Sequence, residues 1–93
     1  MVNPGTVRRR VVVDGRVQGV FYRDTCRTVA RQAGVSGWAS NRADGAVEVV
    51  LEGDPEAVDR LVTWCRSGPS QAVVTSVKVT DEEPEGISGF SVR

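Results

Sequence analysis

The sequence predicts an α+β domain in which two helices cover one face of an antiparallel sheet. Three observations favour this fold class. The chain has 93 residues, which is enough for one domain with a single core. The spacing of apolar residues changes from strand-like to helical and back again, twice along the chain. Glycine, proline and aspartate separate these segments, which keeps each of them short.

The first predicted elements are a strand and a helix joined by a glycine-bounded loop. Val7–Asp14 contains three consecutive valines, which is typical of a strand in the middle of a sheet. The loop spans Gly15–Val20. The helix that follows has its apolar residues on one face, at Tyr22, Cys26, Val29, Ala30 and Ala33. Gly34 is suited to end this helix, because glycine adopts the left-handed conformation that often terminates a helix.

A hairpin and a second helix are predicted next. The strands Val35–Arg42 and Ala46–Glu52 flank an Asp44-Gly45 turn signal. Asp54 can cap the second helix, with proline in its first turn. Gly68 and the proline after it end this helix.

The last segments are a strand over Val73–Thr80, an acidic loop over Asp81–Gly89 and a short strand over Phe90–Arg93. The resulting order, β-α-β-β-α-β with a short tail strand, is the split βαβ or ferredoxin-like arrangement. We expect residues 1–6 to form a flexible N-terminus and residues 7–93 to form one domain.

Charge is balanced overall but uneven along the chain. Twelve basic residues match twelve carboxylates, for a formal net charge of zero. Residues 1–42 hold eight arginines and two aspartates, whereas residues 43–93 hold four basic residues and ten carboxylates. Either the basic half binds an anionic partner, or the two halves interleave in the fold and their charges mix.

Histidine is absent from the sequence, which excludes Ser-His-Asp and Cys-His catalysis and histidine metal sites. Cys26 and Cys65 are too few for a disulfide framework, and we expect them to be small buried hydrophobes, with a single Cys26–Cys65 disulfide as the alternative. Neither is followed six positions later by the arginine that a cysteine phosphatase needs, since Gln32 and Gln71 stand there.

No P-loop, metal-ligand cluster or long apolar run occurs, so we expect a cytoplasmic protein with no metal, cofactor or membrane contact.

The strongest functional signal lies between the first strand and the first helix. Its candidate residues are Gly15, Arg16, Val17, Gln18, Gly19 and Val20. The two glycines allow successive main-chain N–H groups to point inward and bind an anion, beside the positive end of the helix. Arg23 lies in the first helical turn, where a cation is unfavourable unless an anion lies nearby. The alternative is a plain turn followed by a solvated arginine.

A second signal is Asn41, which ends a strand just before the Asp44-Gly45 turn. Taken alone, an asparagine there indicates turn chemistry. Trp38, three residues earlier, is expected to pack in the core or on a sheet face.

Together the two segments resemble the two signatures of acylphosphatases. The matching motifs are Gly15-x-Val17-Gln18-Gly19-Val20-x-Tyr22-Arg23 and Gly37-Trp38-Ala39-x-Asn41-x-x-x-Gly45-x-Val47. The likeness continues through Gly53, Gly68-Pro69-Ser70 and Gly89-Phe90-Ser91-Val92-Arg93, so it covers the chain from Val7 onward. Ser40 and Arg42 depart from the family's usual pattern, and Arg42 either adds charge beside the substrate or points to water.

The resemblance implies hydrolysis of small-molecule acyl phosphates to a carboxylate and inorganic phosphate, without metal or cofactor. It implies that Arg23 binds the phosphate, that Asn41 holds the attacking water and that the loop cradles the phosphate. We expect a monomer.

Two other functions remain alternatives: a module that binds phosphate without turnover, and a nucleic-acid binder suggested by Arg8-Arg9-Arg10. The latter is disfavoured because only 5% of residues are aromatic, whereas single-strand binding needs stacking platforms.

Overall fold

The computed structural model describes residues 5–93 and confirms the predicted fold class. Residues 1–4 of the predicted flexible N-terminus lie outside the described residues. Two helices pack against one sheet. The elements are, in order, β1 (Val7–Arg16), α1 (Tyr22–Ala33), β2 (Ser36–Asn41), β3 (Val47–Gly53), α2 (Pro55–Ser67), β4 (Val73–Glu82) and β5 (Phe90–Val92).

The sheet has five strands in the order β4-β1-β3-β2-β5. The strands β1, β2, β3 and β4 pair with one another in antiparallel fashion, as predicted. The short β5 pairs parallel to β2, which makes the whole sheet mixed. The valine-rich β1 lies between β3 and β4, so its predicted central place is confirmed.

Strand β1 runs two residues beyond the predicted end at Asp14, because its pairing with β4 resumes after a bulge between Asp14 and Gly15. A Cβ atom at Gly15 would lie 2.1 Å from the carbonyl oxygen of Val73. Only glycine therefore permits this close approach of the two strands. The predicted loop Gly15–Val20 thus begins inside the strand.

Both helices begin and end at the predicted residues. The Asp54 side chain accepts hydrogen bonds from the main-chain N–H groups of Glu56 and Ala57 at the start of α2. Gly34 ends α1 with φ of 71°, in the left-handed region that glycine tolerates.

Cys26 and Cys65 lie in the core between the two helices, and both are fully buried. Contact with the Cys65 side chain and burial both raise the pKa of the Cys26 thiol. The hydroxyl of Tyr22 donates to the carbonyl oxygen of Cys65 at 2.7 Å, which ties the start of α1 to α2. The prediction that both cysteines are buried is confirmed.

The two halves of opposite charge interleave. Arg8 pairs with Glu52 at 2.7 Å, and the two side chains are only 4% and 2% exposed. Arg9 binds Asp59 and Asp81, and Arg10 binds Glu48 and Glu82. The arginine triplet that suggested a nucleic-acid partner is therefore occupied by carboxylates from the acidic half.

Within residues 5–93, neither helix is long and apolar enough to cross a membrane.

Candidate active site

The loop between β1 and α1 is anchored by its two valines. Val17 and Val20 are buried in the core, whereas Arg16 and Gly19 are exposed. Gly19 has φ of 76°, which lets the chain turn sharply between the two anchors. The apolar anchors hold the loop against the core and leave its main chain accessible at the surface.

Gln18 joins this loop to the turn between β2 and β3. Its side-chain Nε2 donates to the carbonyl oxygens of Arg42 and Ala46, at 2.8 and 3.0 Å. The turn between these carbonyls follows directly on Asn41, so Gln18 fixes the loop relative to Asn41. Gln18 is in the predicted loop, but this contact could not be predicted from local sequence because its partners lie 24 and 28 residues away.

Phe21 precedes the first residue of α1 in a left-handed conformation, with φ of 62° and ψ of 26°. It is the one non-glycine residue with positive φ in the described part of the chain. Such a conformation costs a bulky residue about 1–2 kcal/mol. Its carbonyl oxygen accepts a hydrogen bond from Thr25, but its side chain caps no N–H group of α1. The N-terminus of α1 therefore has no side-chain cap.

Arg23 lies one residue into α1 and is half-buried. Its Nη1 donates to the main-chain oxygen of Arg93 at 2.6 Å. The guanidinium of Arg93 in turn lies 4.3 Å from the ring of Trp38, on the sheet face away from the helices. Among residues 5–93, no aspartate or glutamate pairs with Arg23. Its positive charge therefore has no aspartate or glutamate partner within residues 5–93, and its hydrogen bond goes to an oxygen of Arg93, the last residue of the sequence.

An open depression of about 240 Å³ lies beside these groups. It is lined by Val17, Gly19, Phe21, Tyr22, Arg23, Asp24 and Asn41. Asn41 is the last residue of β2 and is exposed. Arg23, Asn41 and two loop residues from the sequence prediction thus lie around one cavity.

The remaining candidates lie elsewhere. Gly15, Arg16 and Val20 do not line the depression, and Gln18 is directed to the turn. Arg42 pairs with Asp44 at 3.1 Å on the exposed turn, so the guanidinium of Arg42 is directed toward Asp44. In the part of the chain that the structure describes, no three metal-ligating side chains cluster.

These features suit an anion. An arginine without an aspartate or glutamate partner, an uncapped helix N-terminus and a glycine-containing loop all favour binding of a phosphate group. The amide oxygen of Asn41 is a hydrogen-bond acceptor at the same cavity, and its NH₂ group is a donor.

Comparison with known proteins shows the family of the chain. The acylphosphatase family model matches residues 9–92. An acylphosphatase of Rubrobacter xylanophilus is 56% identical over 90 residues, covering 95% of this chain and 81% of its own. One of Haloquadratum walsbyi is 52% identical over 86 residues, covering 92% of both chains. The structure of an acylphosphatase from Coxiella burnetii superposes with a TM-score of 0.91 at 36% identity, covering 96% of this chain and 94% of that one. The chain belongs to the acylphosphatase family of hydrolases.

Proposed function

We propose that the protein hydrolyses small acyl phosphates to a carboxylate and inorganic phosphate in this depression, without a metal ion. The observation that carries this proposal is that Arg23 and Asn41 line one cavity together with Val17 and Gly19 of the loop. Phosphoryl transfer requires mainly positioning and stabilisation of charge on the phosphoryl oxygens, and these groups supply both.

Arg23 is the phosphate-binding residue in this proposal. Its planar guanidinium can donate two parallel hydrogen bonds to phosphoryl oxygens, and no aspartate or glutamate within residues 5–93 competes for them. Main-chain N–H groups of the loop provide further donors that are already in place before the substrate arrives. The buried Val17 and Val20 keep the loop rigid, which avoids a cost of ordering it upon binding.

Asn41 orients the attacking water. Its amide oxygen accepts a hydrogen bond from water and directs a lone pair of that water toward phosphorus, opposite the leaving carboxylate. An amide is not a useful base, so the proton of the water passes to a phosphoryl oxygen of the substrate. The P–O bond to the acyl group breaks as the new P–O bond forms, and the electron pair leaves with the carboxylate. A carboxylate is a weak base, so it needs no general acid, consistent with a sequence that lacks histidine.

The test is hydrolysis of benzoyl phosphate in the presence of a chelator. We expect turnover by the wild type, and we expect Asn41→Ala to lower kcat by about 10²-fold with little change in KM. Ser40→Ala is the matched control, since Ser40 adjoins Asn41 but does not line the depression. Loss of wild-type activity on metal removal would contradict the metal-independent reaction, and an unchanged kcat in Asn41→Ala would contradict the role of Asn41.

A further inference from the structure

Phe21 lowers the stability of the ligand-free protein in two independent ways. Its backbone adopts a conformation that glycine or asparagine would tolerate better. Its side chain is also 71% exposed, and the only other exposed large apolar residue between positions 5 and 93 is Val73. The ring lies outside the hydrophobic core, so burial within the fold does not offset the exposure of its apolar surface.

The exposed ring lies at the edge of the catalytic depression. Phe21 lines the same cavity as Arg23 and Asn41. The cavity volume of about 240 Å³ is close to the lower end for small-ligand pockets, about 300 Å³. It therefore accommodates a small substrate whose non-phosphate part lies close to the lining residues. The charged and polar groups are assigned to the phosphate and the water. Val17 and Tyr22 also line the depression but are almost fully buried, so Phe21 offers the exposed apolar surface to the acyl group.

We propose that Phe21 determines acyl-group specificity by stacking on flat, apolar acyl groups, which favours aromatic over small acyl phosphates. This inference rests on the proposed hydrolase function and deepens it. A bound aromatic acyl group would cover the exposed ring and bury apolar surface on both partners. A small acyl group such as acetyl is too short to cover the ring and gains less.

The test separates the ring from the backbone conformation. Phe21→Asn removes the ring but keeps a residue that tolerates the left-handed region. Val73→Thr is the matched control, because it removes exposed apolar surface outside the depression and keeps a β-branched residue in the strand. Steady-state kinetics are measured with benzoyl phosphate and with acetyl phosphate, together with inhibition by inorganic phosphate and thermal unfolding of each variant.

In Phe21→Asn, kcat/KM for benzoyl phosphate should fall by about 5–20-fold, mainly through KM, and that for acetyl phosphate by less than about twofold. Inhibition by inorganic phosphate should be unchanged, and Val73→Thr should resemble wild type. An equal fall for both substrates would overturn the inference and show that Phe21 only shapes the loop. No change for either substrate would overturn it as well. A wild type that hydrolyses neither substrate would refute the proposed function itself, and the inference with it.

Discussion

Two arginines near opposite ends of β1 show how differently this fold treats the same side chain. Arg8, near the start of the strand, is almost fully buried and pairs with Glu52, Glu82 and Glu85. Arg23, beyond the end of the strand, is half-buried and binds only a main-chain oxygen. Breaking the pairs of a cation buried among carboxylates is destabilising, whereas a cation with no aspartate or glutamate partner keeps donors for an anionic ligand.

The buried pair is completed by main-chain donors. Glu52 accepts hydrogen bonds from Arg8 and from the N–H groups of Glu85 and Gly86, the latter two at 3.1 Å. Burial raises the pKa of the Glu52 carboxyl, but these hydrogen bonds outweigh it and hold the pKa below its usual range. Among residues 5–93, no buried side-chain polar atom lacks a hydrogen-bond partner. The buried Arg8 and Glu52 side chains at this end of the sheet therefore both have partners for their charges and hydrogen-bonding groups.

The largest expected effect is loss of activity in Arg23→Ala. Arg23 is the one cationic side chain that lines the described depression, so its removal leaves the phosphoryl charge without a side-chain cation. We expect kcat/KM for benzoyl phosphate to fall by about 10³–10⁵-fold, the range for an arginine that stabilises phosphoryl transfer. The free energy of unfolding should fall by only about 1 kcal/mol, for one lost hydrogen bond.

Arg60→Ala is the matched control for Arg23→Ala. Arg60 is an exposed arginine on α2 that does not line the depression and forms no ion pair within residues 5–93. Its kcat/KM should stay within about twofold of wild type, because its removal changes only the general positive charge of the protein. Equal losses in the two variants would show that general positive charge, and not the position of Arg23, supports activity.

The second effect is on stability and concerns the opposite end of β1. Glu52→Gln leaves the buried Arg8 with an incomplete set of carboxylates, and we expect the free energy of unfolding to fall by about 3–5 kcal/mol. Urea denaturation measures this loss, and kcat/KM at 25 °C should remain near the wild-type value. Glu48→Gln is the control on the same strand, since its half-exposed pair with Arg10 should contribute less than about 1 kcal/mol. Similar losses for both variants would contradict the contrast between buried and exposed pairs.

The third effect is smaller and concerns the link between the loop and the turn. Gln18→Ala removes both hydrogen bonds that hold the loop beside Asn41. Misplacement of catalytic groups slows the reaction, and we expect kcat to fall by about 10-fold. Gln32→Ala, an exposed glutamine on α1, serves as the control and should leave kcat unchanged. A wild-type kcat in Gln18→Ala would show that the core anchors Val17 and Val20 position the loop without help.

What could be predicted from the sequence depends on how local the signal is. Helix ends at Asp54 and Gly34 depend on a few adjacent residues, and both were predicted. The candidate residues Arg23 and Asn41 were found through two short motifs. By contrast, the extension of β1 past Asp14 depends on pairing with β4, about sixty residues later in the sequence. The left-handed conformation of Phe21 was also missed, because no residue preference indicates it.

The smallest effect is the pH dependence of stability at the ion-pair end. Hydrogen bonds from Arg10 and Arg8 lower the pKa of the Glu82 carboxyl to about 2, whereas a glutamate in the unfolded chain has a pKa of about 4.3. A carboxyl with a lowered pKa in the folded state contributes stability above the unfolded pKa and loses it as pH falls toward the folded pKa. Stability should therefore be constant above about pH 5 and decline between about pH 4.5 and 2.

Glu82→Gln should make the decline in Tm over this acid range shallower, as measured by circular dichroism. Glu83→Gln is the control, because Glu83 is adjacent and exposed but forms no ion pair within residues 5–93. An equally steep decline in wild type and Glu82→Gln would assign the acid sensitivity to other carboxyls. The buried Glu52 would then be the next residue to test, since its lowered pKa acts in the same direction.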